Sequence, residues 1–81
     1  MKLEEERIKE AIETADISLR HKDMILMRYG IGMDRPVAAA DIGKKYKIKG
    51  RKLVEEITKV ERLAFNILKN QDLYDIMIQN S

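Results

Sequence analysis

Apolar residues recur every three or four positions along the first thirty residues, a spacing that is typical of amphipathic helices. The first such stretch begins with a run of glutamates, ends near Asp16, and has an apolar face made of Leu3, Ile8, Ala11, Ile12 and Ala15. Ser18 is a favourable N-cap for a second helix, and Gly30 is a favourable terminator. The pattern therefore predicts two helices before the loop that holds the single proline, Pro36.

A short helix and a long helix are predicted after that loop. The short helix spans about residues 37–46, and Ile42 and Tyr46 form its apolar stripe. Gly43 would allow another helix to approach closely, because no side chain would hold the two apart. After Gly50 the long helix repeats its apolar positions at Leu53, Ile57, Val60, Ala64 and Ile67 or Leu68.

The tail can form one more short helix over residues 72–78, with Leu73, Ile76 and Met77 packed inward. No stretch alternates between apolar and polar residues as a strand would. We therefore predict an all-α fold: a small bundle of four to five helices in a single domain, residues 1–81. This domain comprises a leading amphipathic helix (1–16), a helix-turn-helix part with an extended second helix (17–69) and a C-terminal short helix (70–81).

Composition excludes several classes of function. The chain has 81 residues and no cysteine, which excludes disulfides and thiolate catalysis. Its acidic amino terminus lacks the apolar core of a signal peptide, and no apolar run approaches the roughly 20 residues that span a bilayer. We expect a cytoplasmic protein with no membrane association.

No catalytic or metal-binding constellation can be assembled from the sequence. A Ser-His-Asp set, a phosphate-binding glycine loop and paired buried carboxylates are all missing. His21, which we expect to be exposed, has no cysteine or carboxylate at ligand spacing. We predict no enzyme activity, no small-molecule substrate, no metal and no cofactor.

Positive charge is concentrated in one place. The net charge is only +2, but residues 41–81 carry nine Lys and Arg against six Asp and Glu. Six cations and no anion lie between residues 44 and 52; we call this set the basic corner: Lys44, Lys45, Lys47, Lys49, Arg51 and Lys52. A turn between two helices with this much positive charge is suited to double-stranded DNA.

The predicted DNA contacts divide into two groups. Phosphate contacts would come from Lys44, Lys45, Lys47 and Lys49, and contacts in the major groove would come from Arg51, Lys52, Glu55 and Lys59. Glu55 and Glu56 oppose binding unless one of them accepts a hydrogen bond from cytosine. A basic run can also be a solvated surface, which remains the alternative interpretation.

Residues 17–68 contain a series of motifs that resembles region four of bacterial RNA polymerase sigma factors, the domain that reads promoters. The family's apolar-Ser/Thr-x-Arg step is matched by Ile17-Ser18-Leu19-Arg20, and its Arg-Tyr/Phe-Gly-Ile/Leu step by Arg28-Tyr29-Gly30-Ile31. Its acidic-apolar-Gly-Lys-x-aromatic stretch is matched by Asp41-Ile42-Gly43-Lys44-Lys45-Tyr46. Its helix ending is similar to the segment from Val60 to Leu68.

The chain departs from this family at three points. Ala38 stands where the family usually has a Ser or Thr cap. The interval between Gly43 and Val60 is four residues longer, about one helical turn. The family reads bases through an Arg-Glu-x-x-Arg-Gln group, and neither possible alignment restores this group. Its four defined positions fall on Gly50, Arg51, Val54 and Glu55 in the register aligned from the left, and on Val54, Glu55, Thr58 and Lys59 in the register aligned from the right.

The resemblance implies a second partner, the flap of the RNA polymerase β subunit, which some of Met24, Ile25, Arg28 and Phe65 would border. For the apolar ones among them, a place in the core is the interpretation that we favour. The first hypothesis is thus a transcription regulator in a bacterial or phage-infected cell that binds promoter-like DNA, the β flap, or both. The alternatives are an interaction module that mimics a sigma domain on the polymerase without DNA binding, and a dimeric repressor with residues 73–78 at its interface.

Overall fold

The computed structural model describes residues 3–69 and 73–74, and every regular element within these ranges is an α-helix. The helices are α1 (Leu3–Thr14), α2 (Leu19–Tyr29), α3 (Ala39–Tyr46) and α4 (Arg51–Leu68). The prediction of a small all-α domain is confirmed for this part of the chain. None of these four helices is long and apolar enough to cross a lipid bilayer.

The caps of α2 agree with the prediction. The Ser18 hydroxyl accepts a hydrogen bond from the backbone N–H of His21 at 3.1 Å, and Gly30 closes the helix in the left-handed conformation. Helix α1 ends at Thr14 rather than near Asp16. There the N–H of Ala15 bonds to the carbonyl of Ile12, an i→i−3 bond that tightens and ends the last turn.

Helix α3 begins at Ala39, two residues later than predicted. The N–H of Val37 donates to the Met27 carbonyl at 2.8 Å, so Val37 belongs to the connection that runs along α2. Ala38 is extended, with φ −62° and ψ 145°, and has no side-chain cap bond. The start of α3 therefore lacks the hydrogen bond that a Ser or Asp would supply.

One hydrophobic core joins all four helices. Each helix contributes apolar side chains at the predicted spacing, and the buried set is Ile8, Ala11, Ile12, Met24, Ile25, Met27, Ile31, Ile42, Ile57, Val60, Ala64, Leu68 and Leu73. Helix α1 is a full member of this core, since Ile8 and Ile12 are at most 1 % exposed. It is also tied to the loop after α2, where the Gly32 N–H donates to Glu5 Oε1 at 2.7 Å.

Gly43 makes the close approach that the sequence predicted. A Cβ built at this position would lie 2.5 Å from the Ile48 carbonyl oxygen and 2.9 Å from a methyl of Leu53. Ile48 lies in the turn after α3, and Leu53 lies in α4. The missing side chain therefore lets the turn fold tightly against α3, and α4 then runs without interruption from Arg51 to Leu68.

The predicted helix over residues 72–78 lies outside the described residues except for Leu73 and Tyr74. Leu73 is 1 % exposed, as predicted for an inward-packed residue, and its N–H bonds to the Leu68 carbonyl. Because Leu73 is already buried against its own chain, it offers no surface to the dimer interface that the repressor hypothesis assigns to it.

Candidate nucleic-acid interface

The basic corner is built from the end of α3, a four-residue turn and the start of α4. Lys47 caps α3 in the left-handed conformation, with φ 57° and ψ 44°. Ile48 turns back toward the core, and its N–H bonds to the Gly43 carbonyl at 2.8 Å. Gly50 then takes φ 66° and ψ −141°, a region essentially restricted to glycine, immediately before α4 starts. The turn is thus held by backbone geometry, and its lysines are left at the surface.

Most of the cations of the corner are exposed and not neutralised by the protein. The residues Lys47, Lys49, Arg51 and Lys52 are all exposed. Among residues 3–69 and 73–74, no carboxylate forms an ion pair with any of these four. Lys44 has only a long contact of 3.9 Å with the exposed Asp41 on its own helix, and such surface pairs are weak.

Lys45 differs from the other cations because it is engaged within the fold. Its Nζ lies 2.7 Å from Asp23 Oδ2 of α2, and the Tyr46 hydroxyl donates a hydrogen bond to the same oxygen. Burial alone would raise the pKa of Asp23, but the hydrogen bonds from Lys45 and Tyr46 outweigh it and lower that pKa below its usual 3.8. Lys45 therefore ties α3 to α2. Asp23 neutralises part of the positive charge that we predicted to contact DNA phosphate.

The residues predicted for the major groove lie on the exposed side of α4. Arg51, Lys52, Glu55 and Lys59 are all exposed, whereas the opposite side of the helix is buried at Ile57, Val60, Ala64 and Leu68. Val54 is 65 % exposed and lies between them in the sequence. All positions of both registers of the base-reading group are exposed, so burial does not select one register over the other.

Arg20, at the start of α2, was not among the predicted DNA contacts, yet the structure brings it to the corner. Its guanidinium carbon lies 5.3 Å from the centre of the Tyr46 ring, a cation–π arrangement. Together with the turn and α4 it lines a notch formed by Arg20, Tyr46, Lys47, Ile48, Lys49, Lys52, Glu55 and Glu56. The sequence pattern gives no indication that Arg20 lies at the corner, since Arg20 is more than twenty residues away from the other residues of the notch.

The prediction that His21 is exposed is wrong. Its side chain is 17 % exposed, and its Nε2 lies 2.7 Å from Glu56 Oε1 on α4. This hydrogen bond is the main reason why the pKa of Glu56 is lowered from its usual 4.5, with smaller contributions from His21 and Arg20 charges. Glu56 is therefore held back toward α2, and Glu55 is the carboxylate that α4 leaves exposed near the corner.

The four residues suggested for partner binding divide into core and surface. Met24 and Ile25 are fully buried, so they belong to the core and present no surface to a partner in this structure. Arg28 is half-buried, and its Nη2 lies 3.6 Å from Glu61 Oε2 at the surface. Phe65 is 43 % exposed, and its ring packs edge-on against Tyr74 with centroids 4.9 Å apart.

No group of three or more His, Cys, Asp or Glu side chains within the described ranges is arranged to hold a metal ion. The side chains at the basic corner are cations, the exposed carboxylates of Asp41 and Glu55, and a few apolar residues. No family model, no curated protein and no solved structure matches the chain. The similarity to sigma region four thus rests on the sequence motifs alone.

Proposed function

We propose that this protein is a sigma region-four-like transcription regulator that binds promoter-like double-stranded DNA through a helix-turn-helix made of α3, the turn and α4. It would act in the cytoplasm of a bacterial or phage-infected cell. The observation that supports this most directly is the exposure of Lys47, Lys49, Arg51 and Lys52 without any ion-pair partner in the described residues. Unneutralised cations on one turn attract a polyanion and release its counterions on binding.

The conformation of Lys47 adds to this argument. A non-glycine residue in the left-handed conformation costs roughly 1–2 kcal/mol, and glycine is the usual residue at such a helix end. A lysine at this position lowers the stability of the fold and adds a positive charge at the turn. Such a loss of stability is expected where the charge is needed to bind a ligand.

In the proposed complex the first turns of α4 enter the major groove. Arg51, Lys52 and Lys59 would face base edges and the flanking phosphates, while Lys44, Lys47 and Lys49 would contact one phosphate strand. Glu55 would be tolerated where its carboxylate accepts a hydrogen bond from a cytosine amino group. Glu56 is turned back toward His21 and adds less repulsion than the sequence alone suggested.

A titration of a promoter-like duplex at about 50 and about 200 mM salt tests this proposal. With four to five phosphate contacts, the logarithm of the association constant should fall with the logarithm of salt concentration with a slope of about −4. The variant Lys49→Gln should reduce the magnitude of that slope by about 0.9, because one phosphate contact is lost. Arg7→Gln removes the same charge from an exposed position on α1 and should leave the slope unchanged.

Absence of duplex binding at the lower salt concentration contradicts the DNA proposal. So does equal weakening by Lys49→Gln and Arg7→Gln, because that would indicate a response to net charge rather than contacts at the corner.

The second candidate function is binding to the RNA polymerase β flap without DNA, and the exposure of Phe65 is the observation that favours it. An aromatic side chain that is 43 % exposed on α4 can serve as an apolar anchor for a partner helix. A peptide of the flap helix should bind the wild-type protein and bind Phe65→Ala about tenfold more weakly. Flap binding retained in the absence of duplex binding would select this function over the first.

A further inference from the structure

A second feature of the basic corner is distinct from the notch beside Arg20, although Lys47, Ile48 and Lys49 line both. It is a groove of about 510 Å³ between α3, the turn and the start of α4. Its floor is apolar, because Gly43, Ile48 and Leu53 line it. Ala40, an exposed residue in the first turn of α3, forms one wall.

The rim of this groove is cationic. Lys44, Lys47 and Lys49 line it, and all three are exposed. Asp41 is the one carboxylate that pairs with a rim lysine in the described residues, at 3.9 Å from Lys44. An apolar floor enclosed by three lysines is complementary to a ligand with an apolar group between anionic ones.

We propose that this groove binds an acidic peptide segment of a partner protein, which inserts one apolar side chain between α3 and the turn while its carboxylates pair with the rim lysines. DNA alone accounts less well for these features. A DNA backbone would use the lysines, but it has no apolar side chain that could extend between them to cover Ile48 and Leu53. A side chain such as leucine fits a cavity of this size with room for the neighbouring backbone.

Such a peptide would exclude DNA, because Lys47 and Lys49 would serve both ligands. This second step rests on the proposed DNA-binding function, whereas the groove itself does not. Occupation of the groove would release the protein from DNA and so regulate it.

The test uses two synthetic peptides of aspartate and glutamate, one with a single central leucine and one with serine in its place, each labelled for fluorescence anisotropy. The leucine peptide should bind the full-length protein about tenfold more tightly than the serine peptide, because burial of the apolar side chain adds to the charge attraction. Equal affinities would overturn the proposal, since they would show charge attraction without insertion. Absence of binding of either peptide would overturn it as well.

Three variants locate the contact. Ala40→Leu fills the groove without changing a charge and should remove the preference for the leucine peptide. Ala38→Leu makes the same change at an exposed position outside the groove and should keep that preference. Lys44→Gln should weaken both peptides by about threefold, since it removes one rim charge. An unchanged preference in Ala40→Leu, in protein that circular dichroism shows to be folded, would contradict the location.

A competition experiment addresses the exclusion of DNA. The leucine peptide should displace a labelled duplex from the wild-type protein and from Ala38→Leu, and it should need about tenfold more peptide to do so from Ala40→Leu. If no duplex binds in the direct titration, the proposed DNA function and the exclusion fail together, while the peptide measurements still decide the groove. If duplex and leucine peptide bind together, only the exclusion is contradicted.

Discussion

At the scale of single residues, a few positions have backbone or steric requirements that their neighbours do not. Gly43 is in contact with the turn and with α4, and Gly50 takes a conformation that other residues avoid. Lys47 lies between them and is the one non-glycine residue with positive φ in the described part of the chain. Within eight residues the chain thus contains a glycine required by close packing, a glycine required by its backbone conformation, and a strained lysine.

Lys47→Gly should raise stability and weaken DNA binding at once. Glycine relieves the left-handed strain, so the free energy of unfolding should rise by about 1 kcal/mol and the melting temperature by about 4–8 °C. The lost charge should reduce the magnitude of the salt slope of DNA binding by about 0.9. Thermal unfolding and the duplex titration measure the two effects.

Lys49→Gly serves as the control for this variant. It removes the same charge at a position whose φ is not positive, and it should gain no stability. A Lys47→Gly protein that is less stable than wild type would contradict the strain argument.

Gly43→Ala should destabilise the fold, although alanine is the better helix former by about 1 kcal/mol. Its methyl would lie 2.5 Å from the Ile48 carbonyl oxygen, a backbone atom that cannot move aside without shifting the turn. We expect a net loss of about 1–3 kcal/mol in the free energy of unfolding, measured by urea denaturation. Lys44→Ala, at the next, exposed position of the same helix, should change it by less than about 0.5 kcal/mol.

At the scale of elements, polar contacts around α2 fix how the helices are joined. Asp23 receives Lys45 and Tyr46 from α3, and His21 pairs with Glu56 of α4. These contacts tie α3 and α4 to α2. The apolar core brings the helices together, and these hydrogen bonds restrict their orientation at the surface.

The two carboxylates make stability depend on pH. The pKa values of Asp23 and Glu56 are both lowered in the folded protein, from 3.8 and 4.5. A lowered folded pKa stabilises the fold above the unfolded value, and this stabilisation is lost as pH falls through the folded value. The contribution of these two carboxylates should therefore be constant near neutral pH, and the melting temperature should fall progressively below about pH 4.5.

Asp23→Asn should lower stability at neutral pH by about 1 kcal/mol and make the acid-side fall shallower. Asp34→Asn removes an exposed carboxylate in the loop after α2 and should leave the pH profile unchanged. Melting temperatures between about pH 3 and pH 7 compare the three proteins, and identical profiles for wild type and Asp23→Asn would contradict the assignment.

At the scale of the whole molecule, one small hydrophobic core must stabilise a fold that has concentrated positive charge at its surface. The cations of the basic corner repel one another, and the chain is too short to contain a second core. Helix α1 enlarges the core, since it packs against α2 and α4 and contributes Ile8, Ala11 and Ile12. Its contact with Gly32 and the hydrogen bond from Lys22 to the Glu13 carbonyl connect it to both ends of α2.

Ile12→Ala should therefore cost a large share of the total stability, although α1 lies outside the residues that resemble the sigma family. Ile12 is fully buried, and such truncations cost about 2–5 kcal/mol of a total of about 5–15 kcal/mol. Leu19→Ala, which truncates an 82 % exposed side chain, should change the free energy of unfolding by less than about 0.5 kcal/mol. A cost below about 1 kcal/mol for Ile12→Ala in urea denaturation would mean that α1 is dispensable for the fold.

The sequence by itself determined the features that depend on local periodicity and local backbone chemistry. The 3.6-residue repeat located the four helices and the residues that face the core. Ser18 and Gly30 marked the ends of α2 because capping requires those residue types at those positions. The close approach at Gly43 and the positive charge of the basic corner were also predicted, because each follows from single residues or from residues close together in the sequence.

Only the tertiary structure decided which side chains meet across the helices. Lys45 and Tyr46 bond to Asp23, and Glu56 bonds to His21, so these hydrogen bonds join residues that are 22 to 35 positions apart. Arg20 is likewise brought to the basic corner from a distant part of the sequence. Such contacts depend on how whole helices cross, which local patterns do not specify. The same limit explains why His21 was predicted exposed, why Met24 and Ile25 were also considered for a partner surface, and why the groove beside Gly43 was not foreseen.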